Sequence, residues 1–314
     1  MKYRKLGTSD LVVSEVGLGT WVLGGDHWGH AEDEESIAAI HAALDSGINL
    51  IDTAPAYGRG HAEEIVGKAI KGRRARVIVA TKCGVHRDGK KFSYSLKPDD
   101  IRKEIEDSLR RLGLDTIDLY QCHWPDPKTP VEETMREMLK MRDAGKIRHI
   151  GVSNFDVPLL ERALAVAPVV SLQPHYSLLE RKVEQSILPF CREKKIGIIS
   201  YGTLGSGILT GKYVEPPCFS KGDCRNFFYM FYKEPYWSRT QSLLAEMKEV
   251  AGKRAVPLAQ VAVNWARQQE GVTAALVGAR TAAQATMNAG AGNWELSRSE
   301  LDAITTACNR IFER

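Results

Sequence analysis

The sequence predicts an α/β fold, a (β/α)8 TIM barrel, and two observations lead to this prediction. Eight short apolar runs alternate with amphipathic stretches of helical length along the chain, an order typical of parallel strands joined by crossover helices. The 314 residues also suit one barrel, because barrels of this kind reach that length as single units. No linker or change of composition divides the chain, so we expect residues 1–314 to form a single domain.

The eight predicted strands are short and rich in aliphatic residues. They are Glu15–Gly19, Ile48–Asp52, Val77–Lys82, Thr116–His123, Ile147–Ser153, Val169–Gln173, Gly197–Tyr201 and Thr273–Val277. Amphipathic helices are predicted between them at Glu34–Ser46, Glu63–Lys71, Pro98–Leu112, Val131–Ala144, Val157–Val166 and Val183–Lys194. Pro98 is followed by two aspartates, which suits the first turn of a helix.

Other segments lie outside this repeating pattern. Tyr3–Val13 has a Gly-Thr-Ser-Asp turn between apolar residues and indicates a β-hairpin. A long loop, Gly202–Arg239, follows the seventh strand, and helices are predicted at Thr240–Lys253 and Leu258–Gln268 before the eighth. Ser297–Phe312 is predicted as a further amphipathic helix. We therefore expect a barrel with an N-terminal β-hairpin and C-terminal extra helices.

A doubly wound parallel sheet is the structural alternative. Such a sheet usually carries G-x-G-x-x-G after its first strand, where it binds a dinucleotide. In this chain Gly17 and Gly19 are followed by Val22 at the position of the third glycine. The chain has no P-loop either, so the barrel is favoured.

Composition narrows the classes of protein further. There are 43 Lys and Arg residues against 39 Asp and Glu, a net charge of +4, and the basic residues are dispersed, so we expect no nucleic-acid partner. No apolar run reaches the roughly 20 residues of a membrane span, and none follows the basic start as in a signal peptide. We expect a cytoplasmic protein with no membrane partner, whose six cysteines are free thiols.

Four residues at predicted strand ends could together transfer a proton. Asp52, Lys82 and His123 end the second, third and fourth strands, and Tyr57 lies just past the second. Functional residues of such barrels gather at the carboxyl ends of the strands. An ammonium next to a phenol favours the phenolate, so we expect Lys82 to lower the pKa of Tyr57 while Asp52 holds Lys82. With a hydrogen bond from His123, this set could protonate a developing alkoxide.

The sequence resembles the aldo-keto reductase family in several motifs that occur in the family's order along nearly the whole chain. These motifs are Asn49–Gly58 (NLIDTAPAYG), Ala80–Lys82 (ATK), Leu119–Pro125 (LYQCHWP), Ile150–Phe155 (IGVSNF) and Gly211–Tyr213 (GKY). The resemblance implies an oxidoreductase that reduces aldehydes, ketones or sugars to alcohols by hydride transfer, reversibly on alcohols and polyols. It implies that Tyr57 is the proton donor and that the hairpin plugs the bottom of the barrel. The implied partner is a small carbonyl or alcohol substrate, and the chain could be a monomer or a homo-oligomer.

The resemblance also implies which residues contact the cofactor, which we expect to be NADP(H) in preference to NAD(H). Ser153, Asn154 and Gln173 should bind the nicotinamide carboxamide, and Tyr201 should stack on the nicotinamide ring. Backbone N–H groups of the glycine-rich segment after Tyr201 should wrap the pyrophosphate. The remaining expected cofactor contacts are Gly19, Thr20, Trp21, Gly202, Thr203, Leu204, Gly205, Gly207, Lys212, Arg225, Gly278, Arg280, Gln284 and Asn288.

The chain departs from the family pattern in this region. Family members often carry Ser-Pro where this chain has Gly202-Thr203, which removes one hydroxyl contact, and Glu where it has Met287. Arg280 opens the helical segment after the eighth strand, where it could pair with a 2′-phosphate. That placement is the reason for expecting NADP. Gln284 and Asn288 would share a helix face toward the adenine.

The substrate pocket has fewer signals. Trp21, Trp28 and Trp124 all follow strand ends and could form its walls. The segment Asn226–Tyr232 adds several aromatic residues within the long loop. Such a segment is either a lid over the site or a contact between subunits.

Two other functions compete with the reductase. A cofactor-binding, redox-sensing regulatory subunit, like the potassium-channel β subunits that resemble the same family, would keep these residues and show little turnover. A metal-dependent barrel hydrolase would usually carry His-x-His at a strand end, and none of the eight histidines has that spacing. We therefore predict no metal site.

Overall fold

Strands and helices alternate along the chain as predicted. The computed structural model describes residues 1–25, 28–29, 32–88 and 91–313. Its strands there are β1 (Tyr3–Lys5), β2 (Val12–Ser14), β3 (Val16–Gly19), β4 (Leu50–Asp52), β5 (Ile78–Cys83), β6 (Val85–Asp88), β7 (Lys91–Tyr94), β8 (Ile117–Cys122), β9 (Ile147–Ser153), β10 (Val169–Gln173), β11 (Gly197–Ser200) and β12 (Val272–Gly278). Its α-helices are α1 (Asp33–Asp45), α2 (His61–Ile70), α3 (Pro98–Leu112), α4 (Val131–Asp143), α5 (Val157–Leu164), α6 (Ile187–Glu193), α7 (Arg225–Phe228), α8 (Tyr236–Arg254), α9 (Leu258–Arg267), α10 (Ala282–Ala289) and α11 (Arg298–Phe312).

Eight of these strands close into a barrel. Going round it, the neighbours are β3, β4, β5, β8, β9, β10, β11 and β12, and β12 pairs again with β3. Every one of these pairs is parallel. The carboxyl ends of all eight strands therefore open on one rim, and the predicted (β/α)8 barrel is confirmed.

The barrel interior is filled by alternate residues of the strands. Leu50, Ala80 and Leu119 belong to one buried cluster, together with side chains from the later strands. Because side chains alternate along a strand, the residues two positions further on also face the interior, at the carboxyl rim. Those residues are Asp52, Lys82 and Gln121, and all three are buried.

The hairpin of β1 and β2 closes the opposite end of the barrel, as the resemblance implied. Leu6, Leu11 and Val13 are buried and join the interior cluster. Gly7 approaches the sheet so closely that a Cβ atom there would lie 2.2 Å from the carbonyl oxygen of Val170. Its φ of +54° also favours glycine.

A second hairpin, β6 with β7, was not predicted. These two antiparallel strands follow directly after β5, and they include polar residues such as His86, Arg87 and Ser93. A hairpin that lies on the rim of a barrel has no need of a continuous apolar face. It therefore lacks the alternation by which strands are recognised in a sequence.

Two helix starts differ from the prediction by more than two residues, and a proline lies near each of them. The helix α8 begins at Tyr236, immediately after Pro235, instead of at Thr240. The predicted helix Val183–Lys194 is divided into a 3₁₀ turn and α6, which begins at Ile187. Pro189 then falls in the first turn of α6, where a missing N–H costs no helical hydrogen bond.

The long loop after β11 is structured by its own aromatic residues. Tyr229, Phe231 and Tyr232 are buried within the chain, and the Tyr232 hydroxyl donates to the Ser206 carbonyl at 3.0 Å. The side chains of residues 227 and 228 lie outside the described part. These three rings therefore pack within their own chain, and Tyr232 holds the long loop against the glycine-rich segment.

Two further observations complete the description. All six cysteines are free thiols. Within the described residues, none of the helices is both long enough and apolar enough to span a membrane.

Candidate active site

The four predicted proton-transfer residues lie together at the carboxyl rim. The Lys82 ammonium donates to Asp52 Oδ1 at 2.5 Å and to the Tyr57 hydroxyl at 3.2 Å. Its third hydrogen bond goes to the carbonyl of Thr53 at 3.0 Å. The His123 ring meets the Tyr57 ring edge to face, with 5.8 Å between the centroids. Lys82 is fully buried, and its three N–H donors all have acceptors.

Asp52 is held by two amides as well as by Lys82. Its Oδ2 accepts hydrogen bonds from Gln121 Nε2 at 3.2 Å and from Gln173 Nε2 at 2.7 Å. Gln121 was not among the predicted site residues, although it lies two positions before His123 and so faces the same side of the strand. Gln173 was predicted to bind a carboxamide. Because its amide nitrogen donates to Asp52, a contact of Gln173 with the carboxamide would have to use the amide oxygen.

The pKa of Tyr57 is raised, not lowered. Burial raises it well above its ordinary value, and the negative charge of Asp52 adds to this effect. Burial also lowers the pKa of Lys82, while Asp52 acts in the opposite direction. The expectation that Lys82 brings the pKa of Tyr57 down is therefore wrong, because burial of the phenol and the nearby carboxylate outweigh the ammonium. Tyr57 is a neutral phenol that can donate a proton at neutral pH.

His123 is neutral for a related reason. Burial lowers the pKa of its imidazole well below the ordinary value, and the positive charge of Lys82 lowers it further. A neutral imidazole can still donate one hydrogen bond. The centre thus contains one buried ion pair, Lys82 with Asp52, and two uncharged groups that can exchange hydrogen bonds with a substrate oxygen.

Close backbone packing fixes the loop that carries Tyr57. A Cβ atom on Gly58 would lie 2.2 Å from the carbonyl oxygen of Gly24, and one on Gly24 would lie 2.6 Å from the nitrogen of Gly58. The φ of Gly58 is +61°, which also favours glycine. The loop after β3 and the loop after β4 thus touch through two glycines directly beside the predicted proton donor.

Two of the predicted pocket tryptophans form a wall next to Tyr57. The Trp21 ring stacks near the Tyr57 ring, with centroids 6.1 Å apart and an angle of 25°. Trp28 meets Trp21 edge to face at 5.3 Å. Trp124, the third predicted wall residue, instead faces Tyr94 of β7, with centroids 6.4 Å apart. Trp124 and Tyr94 are both exposed, so they form an outer part of the rim.

The residues predicted to bind a carboxamide are joined in one network. Asn154 Nδ2 donates to the His123 carbonyl at 3.0 Å and to Ser153 Oγ at 2.9 Å. Asn154 Oδ1 accepts from the Tyr201 hydroxyl at 3.0 Å, and Ser153 Oγ donates to the Gln173 carbonyl at 2.8 Å. The network places Asn154 and Tyr201 on the same side of the rim as His123. Their contacts with a cofactor remain predictions.

The other predicted cofactor positions after β3 and β12 lie side by side. Gly19 and Gly278 are register partners at the carboxyl ends of these strands, and the Thr20 hydroxyl donates to the Asp52 carbonyl at 3.0 Å. Trp21 starts a short 3₁₀ turn directly after Thr20. By strand order, these residues lie between the predicted proton-transfer residues and the glycine-rich loop.

The glycine-rich loop has the backbone of an anion site. Gly205, Ser206 and Gly207 follow one another with φ values of +53°, +59° and +97°, while Leu204 begins the turn. Successive N–H groups in such conformations can converge on an anion. The Lys212 ammonium lies close by, 3.8 Å from where a Cβ on Gly207 would be.

Arg225, a predicted phosphate contact, is already paired. Its guanidinium forms a two-point salt bridge with Asp223 at 2.8 and 2.5 Å, and it donates to the Tyr213 hydroxyl at 3.0 Å. It also lies over the Phe219 ring at 4.0 Å and the Trp28 ring at 5.3 Å. A phosphate would have to compete with Asp223. The contacts show Arg225 fastening the long loop to the loop after β3.

The last predicted cofactor segment forms the start of α10. Gln284 Oε1 accepts from the backbone N–H of Arg280 at 2.9 Å, and the Arg280 guanidinium donates to the Trp28 carbonyl at 3.1 Å. Asn288 donates to the Gly278 carbonyl at 3.2 Å. Arg280 thus lies between the N-terminus of α10 and the loop that carries Trp28.

Buried polar atoms without a protein partner lie among the predicted cofactor and pocket residues. The hydroxyl of Thr203, Oδ1 of Asn288 and Nε1 of Trp28 have no hydrogen-bond partner within the described structure. Unsatisfied buried polar atoms are uncommon in proteins. Together with the anion-type loop, these atoms fit a bound dinucleotide. Among the described residues, no group of three or more His, Cys, Asp and Glu side chains is placed to hold a metal ion.

The fold and the site together define a barrel enzyme with a buried ion pair beside a protonated tyrosine, at the rim where such barrels carry out their chemistry. Comparison with known proteins agrees with this class. A model described as "Aldo/keto reductase family" matches residues 15–309. The chain belongs to this family, and it is an NAD(P)H-dependent oxidoreductase.

Individual relatives support the assignment over nearly the whole chain. The chain is 43% identical to the "Aldo-keto reductase YhdN" of Bacillus subtilis (strain 168), covering 98% of this chain and 93% of that protein. It is 35% identical to the "NADH-specific methylglyoxal reductase" of Escherichia coli (strain K12), covering 100% and 99%. The solved structure of the glycerol dehydrogenase AKR11B4 from Gluconobacter oxydans matches with a TM-score of 0.92 at 41% identity, covering 99% of this chain and 96% of that one.

Proposed function

We propose that this protein reduces small aldehydes and ketones to alcohols with NADPH, and that Tyr57 donates the proton. One observation carries the proposal: the Lys82 ammonium lies 3.2 Å from the Tyr57 hydroxyl and 2.5 Å from Asp52. A neutral phenol beside a fixed ammonium can give up its proton to a carbonyl oxygen that gains negative charge.

Each residue of the centre has a role in this proposal. The bound nicotinamide cofactor supplies the hydride. Tyr57 and the neutral His123 hydrogen-bond the carbonyl oxygen of the substrate and so orient it. Tyr57 then transfers its hydroxyl proton to that oxygen, and Lys82 stabilises the phenolate that remains. Asp52 keeps Lys82 charged and aimed, while Gln121 and Gln173 hold Asp52.

The identity of the cofactor rests on Arg280. A guanidinium at the start of α10 is suited to a 2′-phosphate, because the helix N-terminus and the cation both favour negative charge there. The relative named as NADH-specific supports the opposite cofactor preference, so the role of Arg280 needs a direct test. If Arg280 binds the 2′-phosphate, Arg280→Gln should lower the ratio of kcat/KM with NADPH to kcat/KM with NADH at least tenfold. An unchanged ratio would contradict the role of Arg280.

The substrate class is proposed from the relatives and from the pocket. The names of two of them refer to methylglyoxal and glycerol, which are three-carbon compounds. In this chain the rings of Trp21 and Trp28 pack beside Tyr57, which leaves less room for a bulky substrate on that side. We propose short-chain carbonyls, with the matching alcohols or polyols as substrates of the reverse reaction.

The first test is absorbance of the reduced nicotinamide with purified protein, NADPH or NADH, and a panel of small aldehydes, ketones and sugars. We expect turnover in the parent protein and a loss of 100-fold or more in Tyr57→Phe, in the range typical of a lost general acid. Tyr3→Phe is the matched control, because the Tyr3 hydroxyl donates to the Gly47 carbonyl far from the rim. Tight dinucleotide binding without turnover on any substrate would overturn the proposal in favour of a regulatory subunit.

A further inference from the structure

A histidine outside the predicted site supports the ring of Tyr201. The imidazole of His175 lies parallel to the Tyr201 ring, with centroids 5.0 Å apart and an angle of 11°. The two residues also pair through their backbones, so the stack is part of the rim between β10 and β11. The Tyr201 hydroxyl is fixed at its far end by Asn154. Together these contacts hold the Tyr201 ring by its face and by its hydroxyl.

Tyr201 also lies near the predicted proton-transfer residues, because its hydroxyl donates to Asn154, which in turn donates to the carbonyl of His123. Burial raises the pKa of Tyr201, and the neighbouring Tyr229 and Tyr57 raise it further, as expected when three phenols line one space. Tyr229 also meets His175 edge to face at 6.2 Å. His175 is thus enclosed between the residue that should stack on the nicotinamide and an aromatic residue of the long loop.

The imidazole also explains the glycine at position 202. A Cβ atom there would lie 2.4 Å from Cδ2 and 2.5 Å from Nε2 of His175, which is far inside van der Waals contact. Gly202 also has a φ of +72°, and a side chain would be strained there. A serine at this position, which the family resemblance leads us to expect, could not coexist with His175 in its present place. The present place of His175 therefore requires a residue without a side chain at position 202.

We propose that His175, paired with Gly202, is a positioning residue that fixes Tyr201 at the depth and tilt needed to hold the nicotinamide ring beside Tyr57. The inference rests on the proposed function and adds a determinant of cofactor geometry to it. Without the imidazole, the Tyr201 ring would lose the parallel ring on which it stacks and could move toward the space that His175 now fills. The nicotinamide half of the cofactor would be held less well, while the adenosine half would be unaffected.

This difference between the two halves provides the test. Binding of NADPH and of adenosine 2′,5′-bisphosphate, which lacks nicotinamide, is titrated by calorimetry on the parent, His175→Ala and His175→Phe. If the parent binds NADH in preference, NADH and ADP replace them. We expect His175→Ala to weaken dinucleotide binding about 5- to 10-fold, within the range that one stacked aromatic pair supplies, and to change nucleotide binding less than twofold. His175→Phe keeps a flat ring and should restore binding to within about threefold.

A purely structural role for His175 would give different results. If His175→Ala weakened the binding of both ligands equally, or the binding of neither, the proposal would be overturned. A second comparison applies even if His175→Ala is unstable: Gly202→Ser alone should weaken dinucleotide binding more than tenfold. In the double variant with Gly202→Ser and His175→Ala, the fold-loss of dinucleotide affinity should be smaller than the product of the two single fold-losses. The reason is that the collision at 2.4 Å is gone. A loss of affinity in the double variant that equals the product of the two single losses would contradict the pairing.

These measurements separate the inference from the proposed function. Binding by titration needs no turnover, so a protein that binds dinucleotide but reduces no carbonyl disproves the reductase and still tests His175. A parent protein that binds neither dinucleotide overturns both. In the active enzyme, His175→Ala should lower kcat more than it raises the KM for the carbonyl, because it disturbs the placement of the ring and not the carbonyl pocket.

Discussion

Removal of Lys82 should destabilise the protein far more than removal of a lysine from a surface ion pair. Lys82 is fully buried, and Asp52 beside it is 2% exposed. Replacing Lys82 by Met keeps a side chain of similar length but leaves the Asp52 carboxylate with only Gln121 and Gln173 as partners. A buried carboxylate without its counter-ion is costly, since the low-dielectric interior solvates charge poorly.

The size of the effect follows from this burial. Breaking a buried ion pair by removing one partner typically costs about 3–5 kcal/mol. At about 2 °C per kcal/mol for a chain of this length, the thermal midpoint should fall by roughly 6–10 °C. Thermal unfolding of Lys82→Met at a fixed scan rate is the assay, because a chain of 314 residues need not unfold in two states.

Lys68→Met is the matched control. Lys68 also pairs with an aspartate, Asp33 at 3.1 Å, but the two side chains are 55% and 42% exposed. Exposed pairs of this kind contribute about 0–1 kcal/mol, so its midpoint should change by less than about 2 °C. The double variant Lys82→Met with Asp52→Asn should recover at least half of the loss, because the Asp52 carboxylate is no longer buried without a counter-ion. Equal midpoints for the two lysine variants would refute the argument.

Two more predictions concern pH and backbone packing. Burial raises the pKa of Glu104 from 4.5 to about 8. Because this pKa is higher in the folded protein than in the unfolded chain, the protonated carboxyl contributes stability to the fold that is fully present below about pH 4.5 and is lost as pH rises through about 8. The midpoint of the parent should therefore fall more between pH 6 and 8.5 than that of Glu104→Gln, and equal falls would disprove this. Gly58→Ala should collide with the carbonyl of Gly24 at 2.2 Å and displace Tyr57, lowering kcat at least tenfold. Gly72→Ala is its control, with a φ of +76° and no atom within 4 Å of a Cβ, and similar kcat in both variants would contradict the packing argument.

The eight strands and their polar ends could be predicted because they leave local signals in the sequence. An interior strand must be apolar, so a polar residue at its carboxyl end, such as Asp52, Lys82 or His123, is conspicuous. Gln121 carries the same signal, since it lies two positions before His123, but a neutral amide is less noticeable than a charge. Its role depends on Asp52, which is 69 positions away in the chain.

Other features could not be predicted because they depend on distances between distant segments. The stack of His175 on Tyr201 requires two neighbouring strands to end at the same height, and the contact of Arg225 with the Trp28 ring requires a fold for the long loop. Nothing in the local sequence of His175 distinguishes it from any other histidine. Gly202 departs from the pattern that the resemblance implies, and the cause of this departure lies in the His175 imidazole, which is distant in the local sequence but adjacent in the fold.

The direction of the Tyr57 pKa shift also required the structure, and it has a consequence for the reaction. The sequence places the charges of both Lys82 and Asp52 near Tyr57, and the expectation of a lower pKa takes only the Lys82 charge into account. The structure adds burial of the phenol as the larger cause, and burial together with the charge of Asp52 raises the pKa well above its ordinary value. The two possibilities differ in the form of Tyr57 near pH 7: a lowered pKa gives a mixture of phenol and phenolate, while a raised pKa gives phenol alone.

Only the phenol can donate a proton to a carbonyl oxygen, and only the phenolate can accept one from an alcohol. With a raised pKa, the rate of carbonyl reduction should be level from about pH 6 to 9, because Tyr57 stays protonated throughout. The rate of alcohol oxidation should rise about tenfold per pH unit over the same range, since the phenolate fraction grows by that factor below the pKa. Steady-state rates in both directions, measured in one buffer series at constant ionic strength, test this. A reduction rate that falls through neutral pH, with oxidation reaching a plateau there, would show that Lys82 outweighs burial and Asp52 after all.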